Sequence, residues 1–160
     1  QDPYGITMWP EFKGRDGCRT PMPWTSAARN LGFSNDAAAK PWLPVSEAHR
    51  ALAVDAQEKA PDSLLVYYRQ LLAWRKTQPA LLHGDIALLP KHEQVLAYVR
   101  ACPTQRILCV LNFSDRPASW PIPADLDVAG AMAESGLRGA RLEHGTLHLD
   151  AWGGAFLALN

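Results

Sequence analysis

A chain of 160 residues with sixteen acidic and sixteen basic side chains can bury a sizeable core and carries no formal net charge. It has no basic run to bind nucleic acid and no apolar stretch long enough to span a bilayer, so neither partner is expected. Cys18, Cys102 and Cys109 lack metal-type spacing, and Cys102 and Cys109 read as small buried thiols in preference to a disulfide, which fits a reducing, cytoplasmic compartment. No metal or other cofactor is implied. The chain opens at Gln1 without a charged-then-apolar leader, as if within a loop, and we expect it to be part of a longer protein.

Residues 1 to about 60 show little periodicity and many breakers, including Pro3, Pro10, Pro21, Pro23, Pro41 and Pro44. They nevertheless hold Tyr4, Trp9, Phe12, Trp24, Phe33 and Trp42, an aromatic content foreign to disorder, so the segment is expected to be ordered by packing. A short helical turn is expected over 46–53. Leu64, Tyr68, Leu71, Leu72 and Arg75 then follow a helical stripe, widened by Tyr67 and Trp74, and predict a helix over 62–78. Asp62 or Ser63 caps its start, Pro79 stops it, and its wide apolar face is expected to pack on a barrel or sheet.

From Gly84 the pattern shortens to strands at 86–89, 95–102, 106–113, 118–122, 146–149 and 155–159, separated by turn residues such as Pro103-Thr104, Gly145 and Gly153-Gly154. Such a series predicts an antiparallel β-sandwich.

The densest cluster of unusual residues is Gly14-Arg15-Asp16-Gly17-Cys18-Arg19-Thr20-Pro21-Met22-Pro23-Trp24. Glycine supplies unusual backbone angles and proline removes an amide donor, so this is an ordered loop, and one carrying charge and a large aromatic suits a binding surface. The run from Arg15 to Trp24 resembles a segment of glycoside hydrolase family 13, the α-amylase family, in its α-glucosidase and oligo-1,6-glucosidase branch. Three further segments fit in the same order. Asp2-Pro3-Tyr4-Gly5 with Trp9-Pro10-Glu11 is similar to the start of the family's last barrel loop, and Pro41-Trp42-Leu43-Pro44-Val45 with Val54-Asp55-Ala56-Gln57 to its end. Residues 63–65 through 72–76, with Pro79-Ala80-Leu81, resemble the last barrel helix.

The resemblance implies an α/β tail, the last loop and helix of a (β/α)8 barrel, over 1–82, followed by an all-β antiparallel sandwich over 83–160. In such barrels the active site lies on these loops. The family is retaining: one carboxylate attacks the anomeric carbon while a carboxylic acid protonates the leaving oxygen. Those carboxylates lie on earlier strands of the family, so no catalytic residue is assigned here, and the 160 residues alone are expected to be inactive.

Arg19 is the expected substrate-binding residue: the resemblance implies that it reaches the terminal glucose of a small α-glucoside or oligosaccharide. A guanidinium fork can hold a carboxylate and a sugar hydroxyl together. Arg15 and Asp16 are expected to brace the loop as a local ion pair. Trp24 is open to two readings, a buried anchor or a sugar-stacking face, and Trp9 and Phe12 are candidates for the leaving-group side. The scattered histidines read as surface residues, and His144 and His148 on a strand do not have metal-ligand spacing.

The expected partners are the substrate and the rest of the barrel from the same protein. The 160 residues in isolation are expected either to self-associate through the apolar surface of the helix and aromatic loop or to disorder their first sixty residues. The alternative reading is a non-catalytic structural or carbohydrate-binding β-sandwich module, with Trp120 or Trp152 as weak sugar contacts.

Overall fold

The computed structural model describes residues 1–36 and 38–160, and the chain divides between Tyr67 and Tyr68 into two units. In the first, Pro3 opens helix α1 (Pro3–Thr7), and the Asp2 carboxylate caps it by accepting from the Tyr4 amide at 3.3 Å. Single 3₁₀ turns follow at Asp16–Cys18, Arg29–Gly32 and Glu47–Leu52, the last where a short turn is predicted, and then helix α2 (Val54–Glu58). Between them the backbone is tied by individual hydrogen bonds instead of ladders. The buried Leu31 accepts from the amides of Trp24 (2.8 Å) and Thr25 (2.9 Å) through its carbonyl. The Asp55 carboxylate accepts from the Ser26 amide (2.8 Å) and hydroxyl (3.0 Å). This aperiodic, aromatic segment is ordered, as its composition predicts.

Helix α3 (Leu64–Arg75) runs through the division and is shorter than the predicted 62–78. Ser63 caps it, its hydroxyl accepting from the Val66 amide at 3.2 Å, while the Gln57 side-chain oxygen takes the Leu65 amide at 3.1 Å. At the other end the Thr77 and Gln78 amides bond three residues back, tightening the last turn before Pro79. Of the apolar stripe's flank, Trp74 packs on a sheet beside Phe156, while Leu64 and Tyr68 are exposed on the side expected to face a barrel. A fourth helix not foreseen in the sequence, α4 (Pro79–His83), opens on Pro79 and seats Ala80 and Leu81 against the same sheet.

The second unit is a sandwich of two antiparallel sheets. The eight strands are β1 (Asp85–Leu88), β2 (Val95–Cys102), β3 (Gln105–Asn112), β4 (Ala118–Pro121), β5 (Val128–Ala131), β6 (Ala140–Glu143), β7 (Thr146–Leu149) and β8 (Gly154–Leu159). One sheet has the order β1-β2-β3-β8-β5 and the other β4-β7-β6. Alternation places Val95, Ala97 and Val99 of β2, Leu108 and Val110 of β3, and Leu157 and Leu159 of β8 on the inner face. Ala118, Trp120, Leu147 and Leu149 of the second sheet meet them. The outer face of the larger sheet carries Ile107 and Cys109, packed with Ala80 and Leu81 of α4 and flanked by Trp74 and Phe156, whose ring centroids lie 5.0 Å apart. Strand β3 is therefore covered on both faces, which is why Ile107-Leu108-Cys109-Val110 reads as a continuous apolar run. Burial also pushes the Cys109 thiol up to about 11.

Strands β5 and β6, at the edges of the two sheets, are absent from the sequence reading. Both are four residues long, too short for their alternation to stand out, and β6 is exposed throughout. The β6–β7 hairpin turns at His144 (φ 46°) and Gly145 (φ 76°), the left-handed pair that a tight hairpin requires. Gly84, between α4 and β1, sits where a Cβ would fall 2.5 Å from the Ala80 carbonyl oxygen and 2.6 Å from that of Ala101, so only glycine lets the helix end this close to β2.

Candidate functional site

The Arg15–Trp24 loop is held by a residue outside it. The Asp2 side chain, 1 % exposed, accepts from the Arg15 amide (2.7 Å), from Nε (2.8 Å) and from Nη2 (2.7 Å). The predicted brace between Arg15 and Asp16 is thus replaced by a bidentate pair thirteen residues apart in sequence. The Arg15 guanidinium also lies 5.2 Å from the Tyr4 ring centroid. Glycines permit this approach: a Cβ on Gly5 would meet the Lys13 carbonyl oxygen at 2.9 Å, and Gly14, at φ 81°, would bring one to 3.2 Å from the Asp2 Cβ. Asp16 accepts from the Asp2 amide (3.3 Å), so it also supports the loop, with a different partner from the expected one.

The hydrogen bonds from Arg15 hold the Asp2 carboxyl well below the usual carboxylate range, against an opposing effect of burial. A carboxylate whose folded value is depressed stabilises the fold at every pH above its unfolded value, near about 4, and loses that contribution only as the pH falls through the lower folded value. Protection of the 13–19 segment from trypsin-like or acid proteases is therefore expected to be constant from neutrality down to about pH 4 and to fall only in stronger acid. In Asp2→Asn the segment is expected to be cut about tenfold faster at pH 7, because the guanidinium then lies beside a neutral amide. Equal cleavage rates for the two proteins at pH 7 would refute the role of this pair.

Arg19 closes the 3₁₀ turn that Asp16 begins, its amide donating to the Asp16 carbonyl at 3.0 Å. Unlike Arg15, its side chain makes no hydrogen bond or ion pair among the described residues. It lines a cavity of about 350 Å³ with Asp2, Pro3, Asp16, Trp42 and Leu43. Asp2 and Leu43 are buried, whereas Trp42 is 81 % exposed. Apolar walls with a few convergent polar groups are the usual make-up of a small-molecule site. The sequence reading places Trp42 in the motif at the end of the loop but gives it no site role: it stands 23 positions after Arg19, beyond a stretch with no period.

Trp24 is 51 % exposed, so the buried-anchor reading does not describe its indole. Its backbone does anchor the loop, accepting from the Asp55 amide at 3.1 Å and donating to Leu31. Trp9 and Phe12 are exposed and do not line the cavity beside Arg19. Trp120 is buried in the sandwich core, which removes it as a sugar contact, whereas Trp152 is exposed. On the second unit, a cross-strand row joins Ser119 to His148 (Oγ to Nδ1, 3.0 Å), with Glu143 3.9 Å from His148 Nε2 and 2.7 Å from Arg141 Nε. This row borders a separate, polar cavity, and Glu143 neutralises its arginine. Among the described residues no group of histidine, cysteine and carboxylate side chains is placed to hold a metal ion, and no helix is long and apolar enough to cross a membrane.

A loop built around an uncommitted arginine and a cavity thus precedes a helix and an antiparallel sandwich, the order of a catalytic-domain tail followed by a C-terminal β domain. The chain belongs to glycoside hydrolase family 13, the α-amylase family: residues 1–84 match the α-amylase catalytic domain and residues 86–153 the maltogenic amylase C-terminal domain. It is 42 % identical to a probable α-glucosidase of Rhizobium meliloti strain 1021 across 99 % of its own length. It is 39 % identical to probable oligo-1,6-glucosidase 2 of Bacillus subtilis strain 168 across 75 %. The chain spans 28 % and 21 % of these two relatives. Among solved structures, the α-glucosyl transfer enzyme XgtA superposes over the whole chain with a TM-score of 0.89 at 42 % identity, the chain covering 29 % of that protein. The isomaltulose synthase PalI of Klebsiella sp. LX3 superposes over 92 % of the chain with a TM-score of 0.77 at 28 % identity, the chain covering 26 % of it.

Proposed function

We propose that this chain forms one wall of the active site of a retaining α-glucosidase that hydrolyses or transfers terminal α-linked glucose from short oligosaccharides, with Arg19 gripping that glucose. The observation that carries the reading is the contrast between the two arginines of one turn. Arg15 is saturated by a buried carboxylate, while Arg19 offers an unpartnered fork to a cavity. The names of the relatives support the same substrate class. Arg15, Asp16 and the Trp24 backbone then act as loop support. Residues 1–82 serve as the end of the (β/α)8 barrel and 83–160 as the sandwich that finishes it.

The carboxylates that break and form the glycosidic bond come, in this reading, from the rest of the barrel. Turnover of maltose or p-nitrophenyl α-glucoside is expected from the protein that carries this chain and not from the 160 residues alone, and sustained turnover by the isolated chain would overturn that division of labour. In light scattering the isolated chain is expected to self-associate through exposed apolar groups such as Ile86, Leu88 and Phe113, and a monodisperse monomer would count against this. Three free thiols suit a cytoplasmic location, testable by fractionation of the source cells.

A further inference from the structure

We propose that Asp55 is a positioning residue for Arg19: its carboxylate clamps the far end of a stiff strut whose near end carries that guanidinium. This inference rests on the functional reading above and adds the means by which the fork is held in place. Every backbone polar group from Pro23 to Ser26 has a partner. The Pro23 and Trp24 carbonyls accept from the Val54 and Asp55 amides, each at 3.1 Å. The Trp24 and Thr25 amides donate to the Leu31 carbonyl, and the Thr25 carbonyl accepts from the Ala28 amide at 3.2 Å. Asp55 closes the set, Oδ1 accepting from the Ser26 amide (2.8 Å) and Oδ2 from its hydroxyl (3.0 Å), while the Arg50 guanidinium donates to the Ser26 carbonyl. The Ser26 amide also holds the Asp55 carboxyl below the usual carboxylate range. A segment outside any helix or sheet is thereby pinned as a ladder would pin a strand. Between this clamp and Arg19 stand Thr20-Pro21-Met22-Pro23. Among the described residues no hydrogen bond ties Thr20, Pro21 or Met22. Their stiffness is covalent: each proline fixes its own φ and biases the residue before it towards extended backbone. Such a strut passes the position of its clamped end on to Arg19 instead of absorbing it in a soft torsion. Asp2 fixes the Arg15 end of the same loop, so Arg19 is held from both sides.

In the protein that carries this chain, Asp55→Ala is expected to lower kcat/KM for maltose about tenfold, because a displaced binding group loses its geometry. Asp55→Asn, whose side chain can accept from the Ser26 amide and donate to its hydroxyl, is expected to stay within about threefold of the parent. Coupling decides the matter. Acting through Arg19, the aspartate has nothing left to position in an Arg19→Ala background, where Asp55→Ala is expected to cost less than about twofold. A purely structural aspartate would cost about the same in either background, and that result would overturn the proposal. So would kcat/KM for Asp55→Ala within about twofold of the parent. Ser26→Ala, which removes one bond of the clamp, repeats the test if Asp55→Ala fails to fold: a loss of about threefold in the parent and none beside Arg19→Ala is expected, and equal losses in both would overturn the proposal. Arg19→Ala separates the two levels. If it impairs turnover and the losses multiply, only the positioning role is wrong; if Arg19→Ala is silent, the underlying assignment of the site has failed.

Discussion

Arg19→Ala in the protein that carries this chain is expected to lower kcat/KM for maltose by about 10- to 100-fold, the worth of one or two hydrogen bonds from a charged donor. The argument is one of supply. Two arginines lie on a single turn, and the buried Asp2 carboxylate takes the Nε and Nη2 donors of one of them. The other retains its fork for an external ligand. Arg19→Lys is expected to recover only part of the loss, because an ammonium cannot make two parallel bonds in a fixed plane. Arg15→Ala is expected to behave differently, loosening the loop and lowering its protease resistance together with activity. If kcat/KM for Arg19→Ala stayed within a factor of two of the parent, the sugar-binding role would be wrong.

Leu157→Ala is expected to destabilise the sandwich by about 3 kcal/mol, and to lower its Tm by about 15 °C, on the scale of large-to-small changes in tight cores. Leu157 is 1 % exposed and lies opposite Leu108 on β3 and Ala131 on β5, within the cluster that also holds Trp120 and Leu147. Both sheets close over it, so neighbouring side chains have little room to collapse into the space left behind. Leu142→Ala, on the exposed edge strand β6, provides the contrast and is expected to change stability by less than about 0.5 kcal/mol. Thermal melts of the two variants decide the point, and similar losses in both would contradict the packing described here.

The parts of this chain that were legible in its sequence are those where a side-chain pattern is local. Ser63 and Pro79 bracket α3, and Val95, Ala97 and Val99 mark the inner face of β2 by simple alternation. Edge strands β5 and β6 were not legible, since four residues are too few for an alternation to stand out. Nor was α4, whose five residues are too few for a helical stripe and whose helicity is stabilised by packing on β2 and β3. In the site, Arg19 was legible through its motif. Its surroundings were not: Asp2 reaches Arg15 across thirteen positions, and Trp42 joins the cavity from farther still. Such partners are brought together by irregular backbone, for which sequence offers no ruler.

The place of β8 in its sheet has a consequence for how the molecule is made. This strand, the last of the eight in order along the chain, lies between β3 and β5 and supplies the only ladder that β5 has among the described residues. Without residues 154–159, β3 presents an open edge and the inner Leu108 and Val110 lack their neighbours Leu157 and Leu159. The sandwich therefore closes only when β8 is captured, and a chain lacking residues 154–159 would present an unpaired edge open to association.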